Sequence, residues 1–218
     1  MESAIAVDAP LIVIDGLDGC GKTTQVKLLS DRLEREDRAC VFTREPGGAP
    51  LSEALRELFM SDLGEHASAL TQFLMMWASR RNYLEKVVWP ALRQGLPVFS
   101  DRGDSSTLAY QVYAKNTPEL EDEFWRMRKL VCGEHFRVIY IFLDVPPETA
   151  HVRAIHGAER EETSHLDSQS LEFYKKVRDG FLAFRNSGGA QVFNINGTRN
   201  AALVHEDVYH IVGSVCDW

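Results

Sequence analysis

L-I-V-I-D-G-L-D-G-C-G-K-T-T, Leu11 to Thr24, decides how the rest of the chain is read. Aliphatic residues run into Asp15 and Gly16, and a helix-compatible segment, Thr24 to Leu33, follows. Its middle is Gly16-x-x-x-x-Gly21-Lys22-Thr23, the phosphate-binding loop pattern in a strand–loop–helix setting. Glycines at 16, 19 and 21 let successive amide N–H groups converge on an anion. The helix starting near Lys22 adds the positive end of its dipole, and the Lys22 ammonium extends to the outer phosphates. Thr23 is placed to ligate Mg²⁺, which takes oxygen ligands and bridges phosphates. A glycine-rich turn with a chance lysine is the alternative, disfavoured because motif and context agree. Gly16, Leu17, Asp18, Gly19, Cys20, Gly21, Lys22, Thr23 and Thr24 therefore form a candidate nucleoside-triphosphate site.

The 218 residues suffice for one α/β domain with a sizeable core. A net charge of −8 argues against nonspecific nucleic-acid or membrane-surface partners, which want a basic face. An anion site must then be a local arginine cluster. Cysteines at 20, 40, 132 and 216 lack Cys-x-x-Cys spacing, which disfavours zinc. The acidic N-terminus lacks the pattern of a secretory signal, and no apolar run approaches a membrane span. A reducing cytoplasm is the expected compartment.

Strand-like runs recur at Leu11–Asp15, Ala39–Thr43, Pro97–Asp101, Val138–Asp144 and Gln191–Ile195, separated by helix-period segments. That alternation predicts an α/β fold of three layers, a five-stranded parallel sheet flanked by helices. No repeat or linker divides it, so residues 1–218 read as a single domain. R-N-S-G-G near 185–189 shares two glycines with a transporter signature and is set aside as a helix stop and loop.

In open parallel sheets ligands lie beyond the carboxyl ends of the strands. Arg44 and Arg102 follow the second and third strands there. Their guanidinium groups are expected to face the phosphate loop across a gap one phosphate wide, which suggests a second anion. Asp15 and Asp101 read equally as metal or base carboxylates and as helix caps, Asp144 as a cap. A helix from about Ala69 to Trp89 carries an apolar stripe at Leu70, Phe73, Leu74, Trp77, Leu84 and Val88. Met76 and Arg80 share a face beside it, and a buried charge there demands a partner. Polar residues 156–167 read either as a closing loop with Arg153 and Arg160 supplying charge or as a solvated loop. His151, His156 and His165 do not share metal-ligand spacing. Asn196-Gly197-Thr198 leads to a closing helix, Ala201 to Ser214.

These motifs together resemble the thymidylate (dTMP) kinases of the bacterial type over nearly the whole chain. The match includes I-D-G-L-D-G-C-G-K-T-T at 14–24, F-T-R-E-P-G-G at 42–48 and A-S-R at 78–80. W-P-A-L at 89–92, D-R-G-D-S-S-T-L-A-Y-Q at 101–111 and I-F-L-D-V-P-P-E at 141–148 continue it. The resemblance implies a P-loop kinase fold, a lid around 156–167, and transfer of the γ-phosphoryl of ATP to dTMP with Mg²⁺. It implies that Lys22 and the loop amides hold ATP, and that Thr23 and Asp101 lie at the metal. Asp18 would lie near the acceptor 3′-hydroxyl, with Arg44 and Arg102 clamping its phosphate. Arg80 would reach the thymine edge, Ser106 and Thr107 would supply hydroxyls, and Tyr110 would stand where a ribose 2′-hydroxyl falls. Gln111 would line the same pocket, Arg160 would act from the lid, and the assembly would be a homodimer. Met76 stands where the family usually has Phe, and Ser164-His165-Leu166-Asp167 replaces the usual lid sequence.

Two other readings keep the fold or only its nucleotide site: a kinase with a broader acceptor range, and a nucleotide-dependent interaction module without turnover. A GTPase is disfavoured because no Asn-Lys-x-Asp motif occurs. Cys20, beside a helix N-terminus, is expected to favour a thiolate and so redox sensitivity.

Overall fold

The computed structural model describes residues 9–133, 136–156 and 169–218. Its strands are β1 (Leu11–Asp15), β2 (Val41–Arg44), β3 (Val98–Asp101), β4 (Val138–Asp144) and β5 (Gln191–Asn196). Among the described residues they form one parallel sheet, ordered β2-β3-β1-β4-β5. The expected strands are all present. The apolar run of β1 is buried along its whole length, as a central strand covered on both faces must be. Ile14 lies opposite Asp101, and Arg44 opposite the same residue, so the carboxyl ends of β1, β2 and β3 finish level. The chain reverses its direction of winding between β1 and its neighbours, which opens the crevice where such sheets bind ligands.

The helices are α1 (Lys22–Arg35), α2 (Pro50–Met60), α3 (Asp62–Glu65), α4 (Ala69–Tyr83) and α5 (Trp89–Arg93). They continue with α6 (Asp104–Thr107), α7 (Glu121–Cys132), α8 (Pro147–His156), α9 (Leu171–Asn186) and α10 (Ala201–Cys216). A π-turn over Leu84–Val88 joins α4 to α5, and a second over Leu108–Ala114 extends α6.

The expected stripe on α4 is corrected. Phe73, Trp77, Leu84 and Val88 are buried, but Leu70 and Leu74 are half exposed, at 51% and 50%. The buried face of α4 is rotated toward Gln72, Met76, Ser79, Arg80 and Tyr83. Partners explain the rotation. Ser52 Oγ donates to the Ser79 carbonyl, Gln72 Nε2 to the Gly64 carbonyl, and Arg80 Nη2 to Thr107 Oγ1. Polar side chains with built-in partners are as buriable as leucine, and here they displaced it.

Asp144 is also corrected, from helix cap to ion-pair partner. Its two oxygens accept from Arg178 Nε at 3.0 Å and Nη2 at 3.1 Å, tying β4 to α9. That guanidinium holds the Asp144 carboxyl below its ordinary range.

On one side of the sheet Phe184 of α9 has no exposed surface and meets the rings of Phe124, Trp125, Tyr140 and Phe142. Phe184→Ala should therefore cost about 3–5 kcal/mol of stability. Leu130→Ala, at a side chain 73% exposed, should change it by less than about 0.5 kcal/mol. Urea unfolding measures both.

Candidate active site

The loop after β1 folds tightly because Gly16, Gly19 and Gly21 all adopt positive φ. At Gly19 a Cβ would also collide with the Ala150 carbonyl of α8, so glycine is required twice over. Lys22 opens α1 and is buried; its Nζ donates to the carbonyls of Gly16 at 3.0 Å and Leu17 at 2.8 Å. Asp18 lies 3.9 Å from the same ammonium. Thr23 and Thr24 are exposed on the first turn.

Asp15 is neither a cap of α1 nor an open carboxylate. It has no exposed surface and accepts from Gly16 N at 2.9 Å, Ser105 Oγ at 2.6 Å and Ser106 Oγ at 2.8 Å. Burial raises its pKa, while Arg102, Lys22, Ser105 and the Gly16 amide pull the other way. Asp101 differs: its Oδ1 is buried without a hydrogen-bond partner.

Arg102 adopts φ 69°, a left-handed conformation that costs a non-glycine residue about 1–2 kcal/mol. Its N–H bonds the Ile14 carbonyl at 3.0 Å and its own carbonyl accepts from Ser100 Oγ at 2.8 Å, which hold it there. The side chain thereby turns to the phosphate loop. Nη1 donates to Ser106 Oγ at 3.1 Å and to the Gly16 carbonyl at 3.4 Å, and Nη2 bonds Asp18. Tyr110 OH donates to the other Asp18 oxygen at 2.7 Å. Burial opposes the Arg102 charge, but Asp18, Tyr110, Asp15 and Asp101 more than offset it and raise its pKa.

Arg44 stands outside this network. Its side chain is 53% exposed and Nη2 donates to Glu53 Oε2 at 3.1 Å. Glu53 is itself fixed by the Gly48 amide, 2.7 Å from Oε1.

Arg80 rather than Arg81 turns inward. Arg80 is 3% exposed, whereas Arg81 pairs with Glu85 at the surface. Beyond its bond to Thr107, Arg80 places Nε 2.7 Å from Glu45 Oε2, at an angle outside the hydrogen-bonding range. Its Nη1 is buried without a partner. Met76 and Gln111 are buried beside this region of the fold. Glu45 was legible only as part of T-R-E-P-G-G; a buried acid gives no periodic signal.

Three further expectations concern Cys20, Arg153 and the segment 156–167. Cys20 is buried, and burial raises its thiol pKa despite Lys22 and Arg102, so the thiolate expected from the helix end is not favoured. Arg153 Nη1 donates to the Gly197 carbonyl at 3.2 Å, pinning the loop after β5 beside α8. The segment 156–167 with Arg160 and His165 lies outside the described residues, save for His156 at the end of α8.

The sequence profile of the thymidylate kinase family matches residues 14–208. A thymidylate kinase of Synechococcus sp. (strain JA-3-3Ab) is 36% identical over 201 residues, 92% of this chain and 94% of that protein. One from Clostridium novyi (strain NT) is 33% identical over 197 residues, 90% and 95% of the two chains. The crystal structure of thymidylate kinase from Ehrlichia chaffeensis superposes with a TM-score of 0.71 at 28% identity. It covers 94% of this chain and 98% of its own.

Ser105 is one of the donors that favour ionised Asp15. Ser105→Ala should destabilise the protein by about 1–3 kcal/mol near neutral pH. The loss should shrink as the pH falls through the raised folded-state pKa of Asp15, where the folded chain's carboxyl takes up a proton and the bond no longer serves a charge. Urea unfolding on either side of that pKa checks this; equal losses would mean the bond does not serve the charged form.

Proposed function

We propose a function from one premise: the chain belongs to the thymidylate kinase family. It transfers the γ-phosphoryl of ATP to dTMP, giving dTDP and ADP. The observation that carries this reading is Arg102 reaching from the end of β3 to Asp18 and the Gly16 carbonyl of the phosphate loop. An acceptor phosphate bound by Arg102 would thus lie beside the phosphates held by Lys22.

Phosphoryl transfer asks little covalent chemistry of the protein; positioning and charge neutralisation dominate. The amides of residues 16–24 and Lys22 hold ATP. When dTMP binds, its phosphate takes over the Arg102 donors from Asp18, and Arg44 swings from Glu53 to join it. Asp18 then turns toward the acceptor 3′-hydroxyl. Tyr110, fixed by Asp18, occupies the place of a ribose 2′-hydroxyl, and Gln111 lines the same wall. Met76 packs on the base, whose edge meets Arg80, with Ser106 and Thr107 supplying hydroxyls.

Thr23 and Asp101 would hold Mg²⁺. The orphaned Asp101 Oδ1 suits a hard cation, which needs only one or two protein oxygens when phosphates supply the rest. Bound there, the ion would neutralise phosphate charge. All four cysteines are free, and among the described residues no helix is long and apolar enough to cross a membrane; a cytoplasmic location is part of the proposal.

A homodimer is the proposed assembly. Exposed Leu51 and Leu58 lie on one face of α2, and Leu70 and Leu74 on one face of α4, which packs beside it.

ADP release should be fastest with dTMP among dTMP, dUMP, dCMP, dGMP and AMP; a purine monophosphate as best acceptor would overturn the assignment. Lys22→Ala should lower kcat about a hundredfold or more with the fold retained by circular dichroism. Arg102→Ala should act mainly on dTMP use, and unchanged acceptor kinetics would contradict its role. Light scattering should report a dimer that Leu70→Glu with Leu74→Glu converts to monomer.

A further inference from the structure

Glu45 follows Arg44 in the chain but faces the opposite way. Arg44 is half exposed, whereas Glu45 is 6% exposed and its backbone N–H extends the sheet by bonding the Asp101 carbonyl at 2.9 Å. Its carboxylate lies 2.7 Å from Arg80 Nε. Arg80 is bounded on three sides: Glu45 at one edge, Thr107 Oγ1 at 3.0 Å on another, and the Trp77 ring 4.7 Å from its central carbon. The remaining donor, Nη1, is buried and unpartnered.

Packing alone does not fix that guanidinium. A recess of about 340 Å³ runs from Arg80 and Glu45 toward the amino-terminal ends of β1, β4 and β5. Asp104, Arg128, Cys132 and Tyr140 line it. Arg80 has room there to turn away from the crevice. Asp104 is no rival anchor, since its carboxylate is already bonded to Arg128 Nε at 2.7 Å and to the Tyr140 hydroxyl. Arg80 and Tyr83 from α4, Asp104 from α6, Asp15 from β1 and Cys132 from α7 lie within electrostatic reach of Glu45. Arg80 is the cation among them.

We propose that Glu45 is a positioning residue: it holds Arg80 at the angle from which Nη1 meets a carbonyl of the acceptor base. This rests on the assignment of Arg80 to the base edge. A guanidinium only donates. Thymine presents carbonyl oxygens to it, while cytosine replaces one of them with an amino group that also donates. A fixed Arg80 therefore rejects cytosine, and one free to turn into the recess does so poorly.

Steady-state kinetics with dTMP and dCMP test this on wild type, Glu45→Gln, Glu45→Asp, Arg80→Met and the Glu45→Gln/Arg80→Met double variant. Glu45→Gln should raise KM for dTMP about tenfold, the size of one lost charged hydrogen bond. Its kcat and KM for ATP should stay within about twofold, and its preference for dTMP over dCMP should narrow. In the Arg80→Met background the same change should add less than about twofold, because Glu45 acts through Arg80. Glu45→Asp keeps the charge but withdraws it, and should fall between wild type and Glu45→Gln; it carries the test if the Gln variant does not fold. If Arg80→Met loses dTMP selectivity while both Glu45 variants keep it, the positioning role is overturned and the base assignment stands. If Arg80→Met leaves selectivity unchanged, the base assignment itself fails and this inference with it. A general loss of activity and stability with the dTMP:dCMP ratio unmoved would reduce Glu45 to a structural ion-pair partner and overturn the proposal.

Discussion

A carboxylate sealed from water, Asp15, fixes where the rest of the site stands. Desolvating it is costly, and Arg102, Lys22, the Ser105 and Ser106 hydroxyls and the Gly16 amide together offset only part of that cost. The amide and the hydroxyls belong to two segments about ninety residues apart, the phosphate loop after β1 and the helix α6 after β3. One buried acid therefore sets the register between the triphosphate cradle and the residues that follow Asp101. Ser106 passes this constraint on, since the oxygen that donates to Asp15 also accepts from Arg102.

Arg102 shows what that register is used for. A left-handed arginine is unfavourable on its own, and it persists because two backbone-directed bonds and the Asp18 pair over-determine it. The strain turns the guanidinium toward the loop. Asp18 in turn is shared by Arg102, Tyr110 and, more distantly, Lys22. A site that must gather phosphates needs several cations close together, and such cations repel. An acid placed among them lowers the cost of holding them near one another before the anions arrive. On the proposed mechanism the phosphates then inherit that role.

Most of the fold was legible in the sequence because it depends on local pattern. β-Branched and aliphatic runs announce strands, and the loop glycines announce the turn that only they can make. The helix α4 was misjudged where local pattern and tertiary pairing disagree: leucines at 70 and 74 fit the apolar stripe, but Ser79 and Arg80 had partners waiting on α2 and α6. The same limit hid Arg178 beneath Asp144 and Glu45 beside Arg80. An ion pair between residues decades apart in sequence leaves no periodicity to read. Arg44 illustrates a subtler limit, since its place at a strand end was legible but its engagement with Glu53 was not.

On the proposed assignment Met76 gives the acceptor side its particular character. An aromatic ring at this position would offer a flat face and select a flat base by stacking. A thioether is polarisable and adaptable, so it packs on a ring but tolerates differences of shape. On the proposed assignment discrimination then passes from the face of the base to its edge, where Arg80 would be the donor. Here the chain supplies rigidity that Met76 does not: the guanidinium lies over the Trp77 ring and against Glu45 and Thr107. Trp77, itself fully enclosed by Phe73 and Phe124, cannot yield. In the proposed site a looser face contact is compatible with selectivity only because the edge contact would be braced from three directions.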